Sequence, residues 1–314
     1  MDSLSFSTLP DTFQALSDQY YNQRCQDICE RSAGKENVYI RRFFNFFGPP
    51  DMPGNLFSVI CPKSLISFII KYDSEHGHGS KHMMHTALRS FLRFAYRAGY
   101  LSSDFSPLAP NIHVRRLGRI MRSIPNESIK ALFESIDCNA PAGLRDKAII
   151  CLLATYGVRG VQIRQLCLED INWVDETIHF RAAKRGKPID QFLTTQAGNC
   201  LTEYIINARN GSSHNEVFLT TDASVKPLTE SSQLSSIIAK RFQKAGITLP
   251  EGVSYGSHGF RHSFASSLYG KIPFKDIVDM LGHRDPSSTL IYGKVDVETL
   301  RKAALPWPGG ELCR

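Results

Sequence analysis

A histidine and an arginine in the last quarter of the chain have a spacing suited to an anion. The segment SHGFRHSFASSL contains His258 and Arg261, three residues apart, a spacing that places both side chains on one face of a helix. Phe260 and Phe264 can then anchor the opposite face in a core. A guanidinium offers an anion a fixed fork of donors, and an imidazole can donate or transfer a proton. The pattern fits an exposed phosphate-binding pair, although an ordinary charged surface helix has it too.

Further candidates lie in the segment DMLGHRDPSSTLIYGKV. Gly282 can end a helix in a left-handed turn, which places His283 in a tight loop. Asp285 and Pro286 suit the N-cap and the first position of another short helix. Tyr292 lies two turns into that helix. A tyrosine at such a spacing is usually a core or interface residue, so its chemistry depends on its neighbours.

Two more basic residues stand at the ends of predicted elements. Gly157 is expected to end one helix and Arg159 to begin the next, where a guanidinium adds to backbone donors already suited to an anion. The segments TIHFRA and IDQFLTT predict two strands, and the turn KRGK between them contains Gly186, so a β-hairpin is expected. Lys184 stands in that turn. A turn lysine taken alone indicates only a solvated surface.

The order of these residues along the chain is more specific than any of them alone. Arg, Lys, His-x2-Arg, His and Tyr follow one another, and the tyrosine comes nine residues after the histidine of Leu-Gly-His. This constellation resembles the tyrosine recombinases, the phage integrase family, in an Xer-like two-domain layout, over essentially the whole chain. The matching residues, which the resemblance identifies as catalytic, are Arg159, Lys184, His258, Arg261, His283 and Tyr292.

The resemblance implies a DNA breaking and rejoining reaction that needs no ATP, cofactor or metal. Tyr292 would attack a phosphodiester and form a 3′-phosphotyrosyl link, while the two arginines hold the phosphate. His258 would act as base or proton relay, and Lys184 would protonate the leaving 5′-oxygen. His283 would add a further hydrogen bond to the phosphate. The chain is thus expected to be a site-specific recombinase or integrase.

One position departs from the family pattern. The family usually has an acid three residues after the first arginine, and this chain has Gln162; that residue supports the site rather than doing the chemistry. Two other functions remain as alternatives. One is strand relaxation of the type IB topoisomerase kind, against which the Xer-like helical N-terminal domain argues. The other is a non-catalytic DNA-binding protein on the same scaffold, against which the complete set of six residues argues.

The elements that must position these residues are mostly helical. We predict a mainly α fold with a small β-hairpin or sheet (α+β): a helical core-binding domain over 1–112, a basic linker over 113–125, and a catalytic domain with a C-terminal tail over 126–314. Asn126 is expected to be the N-cap of the first catalytic-domain helix. The predicted helices are 11–31, 35–47, 62–72, 79–97, 126–137, 143–156, 159–167, 195–209, 229–245, 257–269, 274–281, 286–293 and 296–304, and the strands are 177–182 and 189–195.

The positive charge is regional. The chain carries a net charge of +7, but residues 1–60 sum to −2 and residues 61–120 to +6, which indicates a polyanion partner for the second region. The predicted partners are double-stranded DNA with paired inverted-repeat sites, a homo-tetramer on two such sites, and an accessory directionality factor. The predicted DNA-binding residues are Lys81, His82, Arg89, Arg93 and Arg97 on a helix, and Arg115, Arg116, Arg119 and Arg122 in the linker.

Composition excludes several other classes of protein. A hydrophobic content of 42% is too high for a disordered chain, and no apolar run has the roughly 18 residues of a membrane span. The N-terminus lacks the basic region of a secretory signal. The eight cysteines form no CxxC pair, which favours free buried thiols in a reducing compartment over disulfides or zinc. A cytoplasmic, nucleoid-associated protein without a membrane or metal is expected, and the histidines over 76–85 are interpreted as a solvated or DNA-facing helix start.

Overall fold

The computed structural model describes residues 13–47, 60–112, 123–183, 186–209, 211–222, 224–229, 231–285 and 289. The chain forms two compact units, residues 1–118 and 119–314. The predicted fold class is confirmed, because helices dominate and one small antiparallel sheet accompanies them. Several predictions fall outside the described residues, namely the helices 286–293 and 296–304, the four linker arginines, Lys184 and Tyr292.

The N-terminal unit is a helical bundle with an aromatic core. The apolar residues recur at helical spacing, so each helix turns one stripe inward. The rings of Phe43, Phe44 and Phe91 are buried together, and Phe44 meets Phe91 edge to face at 5.3 Å between centroids. A short 3-10 helix at Ser106–Leu108 follows the bundle. The four helices are α1 Phe13–Asp27, α2 Glu30–Asn45, α3 Pro62–Glu75 and α4 His78–Arg97.

The break between the first two helices was predicted wrongly. It lies at Ile28–Cys29 rather than after residue 31, and α2 already begins at Glu30. Ala33 is fully buried at the contact with α1, and the Cβ missing from Gly34 would lie 4.0 Å from the ring of Tyr21. The small residues that suggest a turn in the sequence therefore allow two helices to approach each other closely.

Two histidines of α4 hold the segment that follows the 3-10 helix. The Nδ1 of His82 donates to the Ile112 carbonyl at 2.8 Å, and the Nδ1 of His85 donates to the Pro110 carbonyl at 3.2 Å. The Nε2 of His85, which is fully buried, faces the carboxylate of Asp73 at 3.1 Å. His85 therefore serves the packing of this unit, and the predicted solvated helix start is wrong for this residue.

The C-terminal unit packs its helices around α6, which is buried on nearly all sides. The unbroken apolar run Ala148–Leu153 is buried along its whole length, as expected of a helix in the centre of a domain. The helices are α5 Asn126–Glu134, α6 Pro141–Tyr156, α7 Gly160–Arg164, α8 Thr195–Asn207, α9 Ser231–Lys244, α10 Ser257–Leu268 and α11 Phe274–Met280.

A three-stranded antiparallel sheet accompanies these helices. The predicted hairpin strands are present as β2 Thr177–Phe180 and β3 Ile189–Phe192, with Ile178 opposite Gln191. A further strand, β1 Ile171–Asn172, pairs with β2; it was missed because two residues show no alternation of apolar and polar side chains. A second correction concerns α5, whose N-cap is Pro125, so Asn126 is its first helical residue.

The described cysteines are free thiols, but their burial differs from the prediction. Cys151, Cys167 and Cys200 are buried, whereas Cys29 and Cys61 are exposed. Among the described residues no group of three or more histidine, cysteine or acidic side chains is placed to hold a metal ion. No helix within the described ranges is long and apolar enough to span a bilayer.

Candidate active site

The C-terminal end of α6 sets the position of the first predicted arginine. Gly157 ends the helix in the left-handed conformation at φ +58°, and its N–H donates to the Leu153 carbonyl at 3.1 Å. A Cβ at this position would lie 2.4 Å from the ring of Phe264 on α10, so only glycine fits. The chain then turns into α7, with the half-buried Arg159 as its N-cap.

Gln162 connects Arg159 to the sheet. Its Oε1 accepts a hydrogen bond from the Arg159 backbone N–H at 2.9 Å, and its Nε2 donates to the Arg181 carbonyl at 3.1 Å. The side chain is 1% exposed. Because a neutral amide can accept and donate at once, Gln162 joins the start of α7 to the end of β2. An ionised acid at this position could not make the second bond.

Arg261 lies at the centre of the site and is 4% exposed, so the predicted exposed His/Arg pair is wrong for this residue. Its Nη1 donates to the Gly157 carbonyl at 2.9 Å and its Nη2 donates to the Leu281 carbonyl at 2.6 Å. The Nη1 of Arg159 also reaches the Leu281 carbonyl, at 3.5 Å. Two predicted guanidinium groups thus meet at one backbone oxygen.

His283 completes this cluster. α11 is followed by Gly282 in the left-handed conformation at φ +59°, which turns the chain inward, and His283 is buried. Its Nε2 lies 2.7 Å from the Arg261 Nη2, and its Nδ1 lies 2.7 Å from the Thr289 hydroxyl. Burial, with the positive charges of Arg261 and Arg159, lowers the pKa of His283 to about 4, so this imidazole is neutral at pH 7.

His258 stands apart from these buried groups, since it lies in the first turn of α10 and is exposed. One turn further along the helix is His262, which is buried. Burial, followed by the charges of His258 and Arg261, lowers the pKa of His262 to about 4. The helix therefore presents one histidine to solvent and keeps the other neutral and packed.

The hairpin loop packs against the same cluster. A Cβ at Gly186 would lie 2.9 Å from the Gly282 carbonyl and 3.2 Å from the Arg159 Nη1, and the Lys187 N–H donates to the Gly282 carbonyl at 3.3 Å. The Gly186 N–H donates to the Ala183 carbonyl at 2.9 Å. The residues on either side of 184–185 are thus held next to Arg159 and Gly282.

The start of the unit is fastened to α10. The Ser263 hydroxyl accepts from the Ile124 N–H at 2.7 Å and donates to the Gly259 carbonyl at 2.9 Å. Ile124 is 1% exposed, and a Cβ at Gly259 would lie 2.1 Å from the Ser254 carbonyl oxygen. The helix that carries His258 and Arg261 is therefore held in place by its contact with Ile124 as well.

The predicted DNA-binding residues of the N-terminal unit lie along α4. Arg89, Arg93 and Arg97 line a cavity of about 400 Å³ between α1 and α4. The Arg93 Nε donates to the Ser106 hydroxyl at 3.3 Å. Arg93 and Arg97 are exposed, while Lys81 is half-buried in the first turn of the helix. The four-residue spacing places the three arginines on one face.

Sequence reasoning found three of the residues that meet in the cluster but missed two that hold them. The structure brings Arg159, Arg261 and His283 together, with His258 exposed on the same helix as Arg261. Thr289 and the amide role of Gln162 were missed. A hydroxyl three residues before Tyr292 in the sequence was the available signal for Thr289. Charge-assisted donors that converge in this way can take the non-bridging oxygens of a phosphodiester.

Comparison with solved structures defines the class of protein. The fold is that of the tyrosine recombinases: a lambda integrase dimer bound to a COC′ core site matches 96% of this chain and 80% of its own, with a TM-score of 0.67 at 17% identity. The structure of XerH bound to its difH substrate covers 98% of this chain and 92% of the XerH chain, with a TM-score of 0.66 at 19% identity. Residues 122–299 match the family model of the phage integrase family. The chain belongs to this family, as the sequence predicted.

Curated relatives agree with this assignment. The Sinorhizobium fredii protein y4rA, named as an integrase/recombinase, is 37% identical over 71% of this chain. The tyrosine recombinase XerC of Oceanobacillus iheyensis is 28% identical over 74% of this chain and 75% of its own length. The chain spans 54% of y4rA and 63% of the related y4rF from the same organism.

Proposed function

We propose that this chain is a site-specific DNA recombinase or integrase that cleaves and rejoins strands through a 3′-phosphotyrosyl link to Tyr292. The observation that carries the proposal is the meeting of Arg159 and Arg261 at the Leu281 carbonyl, with His283 in contact with Arg261. Family membership supports the same chemistry. The roles of Tyr292 and Lys184 are inferred from their positions in the sequence pattern of the family.

The two arginines stabilise the transition state in this proposal. Negative charge grows on the non-bridging oxygens as the tyrosine oxygen bonds to phosphorus and the bond to the 5′-oxygen breaks. Donors already fixed in a buried site stabilise such charge without reorganising. Arg261 is fixed by the carbonyls of Gly157 and Leu281, and Arg159 by its place at the start of α7.

His258 and Lys184 move the protons in this proposal. A tyrosine phenol with its ordinary pKa of about 10 is protonated at neutral pH and must lose its proton to attack. The exposed His258 is the base or relay that takes this proton. Lys184 gives a proton to the leaving 5′-oxygen, and the packing of Gly186 against Arg159 supports that role. The reverse steps reseal the strand without ATP.

The N-terminal unit supplies DNA binding in the proposal. One face of α4 contacts the phosphates or a groove of the DNA. This face carries Arg89, Arg93 and Arg97, and Lys81 and His82 stand at the start of the helix. The partners are double-stranded DNA with paired inverted repeats, a second site in a homo-tetramer, and an accessory directionality factor. A structural neighbour, a lambda integrase tetramer bound to a Holliday junction, supports such an assembly. The place of action is the cytoplasmic nucleoid.

The experiment is covalent capture on a nicked suicide duplex that carries the inverted repeats flanking the gene. The parent protein should form a protein–DNA adduct, and Tyr292→Phe should bind the duplex equally but form none. Tyr269→Phe, a half-buried tyrosine of the same unit, is the matched control and should form the adduct. An undiminished adduct with Tyr292→Phe would exclude this nucleophile. Relaxation of a supercoiled plasmid without the repeats would favour the topoisomerase alternative.

A further inference from the structure

The hydrogen bonds of His283 determine which of its ring nitrogens carries the proton. A guanidinium has donors and no acceptor, and the Arg261 Nη2 lies 2.7 Å from the Nε2 of His283. At that distance Nε2 must offer its lone pair, because an N–H there would face another N–H. The proton of the neutral ring therefore sits on Nδ1.

Thr289 is the acceptor for that proton. Its Oγ1 lies 2.7 Å from the Nδ1 of His283, and the residue is fully buried. A hydroxyl can donate or accept, but Nδ1 carries the proton in this arrangement, so the threonine oxygen accepts. Burial and the two arginines lower the pKa of His283, so the ring is not doubly protonated at neutral pH.

We propose that Thr289 is a positioning residue that holds His283 as the Nδ1–H tautomer, so that its Nε2 lone pair orients the Arg261 guanidinium. Thr289 touches no reacting atom in this scheme. It acts through His283 on Arg261, which also donates to the Gly157 and Leu281 carbonyls. The consequence for catalysis rests on the proposed function; the tautomer assignment does not.

The replacement of Thr289 by valine shows why the hydroxyl matters. Valine has almost the same shape but no oxygen, so Nδ1 would lose the acceptor that Thr289 supplies in a buried site, which is costly. The ring would then shift toward the Nε2–H tautomer, which turns an N–H toward Arg261. Thr289→Ser restores the oxygen and should restore the tautomer. Thr177→Val, at a half-buried threonine of β2, is the matched control.

The first test is the tautomer of His283, measured by long-range 1H–15N NMR at pH 7 on protein labelled with 15N-histidine. The His283 signals are assigned by their loss in His283→Gln. The parent, Thr289→Ser and Thr177→Val proteins should show a protonated Nδ1 and an unprotonated Nε2. Thr289→Val should lose this pattern. A protonated Nε2 in the parent, or an unchanged Nδ1–H tautomer in Thr289→Val, would overturn the assignment.

The second test follows single-turnover cleavage of the same nicked duplex. Thr289→Val should slow cleavage by up to about a hundredfold, the effect of a misplaced catalytic group, while DNA affinity stays within about twofold and Thr289→Ser recovers the rate. Equal rates for Thr289→Val and the parent, together with a changed tautomer, would refute the effect on Arg261. A parent protein that shows the predicted tautomer but never cleaves would refute the proposed function and leave the tautomer assignment intact.

Discussion

At the residue scale, Arg261 illustrates how a charged side chain can be buried and still useful. Removing a guanidinium from water is costly unless its donors are satisfied. Here two backbone carbonyls and the Nε2 of His283 accept from it. The same hydrogen bonds fix the orientation of the side chain. The groups that offset the cost of burying the guanidinium therefore also orient its N–H donors.

The buried histidines beside Arg261 make stability depend on pH. His262 and His283 both have a pKa of about 4 in the folded protein, against an ordinary value of about 6.5. Between these values the unfolded chain binds protons that the folded chain does not, so the free energy of unfolding falls on acidification. In that window each histidine lowers the free energy of unfolding by up to about 1.4 kcal/mol for each pH unit of acidification. Above about pH 6.5 the rings are neutral in both the folded and the unfolded chain, so this loss of stability is absent.

Urea unfolding of the C-terminal unit at pH 7 and pH 5 measures this effect. The parent midpoint should drop at pH 5, and His262→Gln should show a smaller drop because one of the two titrations is removed. His214→Gln, on the half-buried loop residue His214, should behave as the parent. Equal drops in all three proteins would contradict the account.

Gln162 gives a second prediction at this scale. Gln162→Glu keeps the acceptor for the Arg159 N–H but places a carboxylate oxygen against the Arg181 carbonyl, 3.1 Å from the present donor. We expect a loss of about 1–3 kcal/mol in the free energy of unfolding and slower cleavage. Both losses, measured relative to the parent at the same pH, should become smaller at lower pH, where a protonated acid can donate again. The exposed Gln165→Glu is the control and should show neither change.

The individual site residues could be predicted largely because their types and order are specific, but their environment could not. Helical spacing gives the face on which His258 and Arg261 stand, yet it does not tell what covers that face. Arg261 is buried because the turn after α11 places Leu281 and His283 over it. Gln162 was noted only as a departure from the family pattern, and its two hydrogen bonds, to the Arg159 N–H and the Arg181 carbonyl, were not foreseen. Such long-range contacts have no signal in local sequence.

At the element scale, two left-handed glycines bring separate helix ends together. Gly157 ends α6 at φ +58°, and Gly282 follows α11 at φ +59°. Each turn releases a carbonyl near the end of a helix, and these two carbonyls, from Gly157 and Leu281, are the ones that Arg261 binds. The site is thus built where two helices stop rather than along either helix.

Gly157→Ala should damage both folding and catalysis. Alanine in the left-handed region costs about 1–3 kcal/mol, and its Cβ would also overlap the ring of Phe264 at 2.4 Å. Gly211 has the same φ of +58° with no atom near its missing Cβ, so Gly211→Ala isolates the backbone cost. The urea midpoint and the single-turnover cleavage rate should both fall further for Gly157→Ala than for Gly211→Ala. Matching losses in the two variants would mean that the Phe264 contact is unimportant.

Elements were predicted well where apolar periodicity is long and poorly where it is short. The positions of α3, α4, α6, α10 and both hairpin strands agree with the prediction to within a few residues. The two-residue strand β1 carries too little pattern to be recognised. The first helix break was misplaced because small residues mark either a turn or a close helix contact, and only the packing of Ala33 and Gly34 decides between them.

At the scale of the whole molecule, the two units have separate apolar cores. The N-terminal core is built from aromatic rings such as Phe43 and Phe91. The C-terminal core is mainly aliphatic around α6. The basic residues concentrate in 61–120, whose net charge is +6. In the proposed function both units bind DNA, so the contribution of the basic linker calls for a test.

Replacement of the linker arginines by glutamine tests the contribution of this segment. Arg115, Arg116, Arg119 and Arg122 lie within eight residues of sequence, and each phosphate contact contributes about 0.9 to the slope of log affinity against log salt. The quadruple variant should flatten that slope by several units if all four touch phosphates. The loss should be similar on specific and random DNA, because phosphate contacts carry no sequence information.

Titrations at several salt concentrations provide the measurement. The matched control replaces four exposed lysines of the C-terminal unit together by glutamine, so that a general effect of lost charge can be subtracted; these are Lys130, Lys226, Lys240 and Lys244. A slope for the linker variant within error of the parent slope would show that the segment faces solvent.

The attachment of Ile124 to Ser263 gives the molecule a mechanical property. The chain leaves the linker at residue 123 and is fastened at once to α10, where one hydroxyl group accepts from the Ile124 N–H and donates to the Gly259 carbonyl. Tension along the linker is therefore borne by the helix that carries His258 and Arg261, about half a turn from the guanidinium. In the proposed function, a pull along the linker reaches α10 through the Ser263 hydroxyl, so the load on bound DNA and the rate of strand cleavage are expected to be coupled quantities.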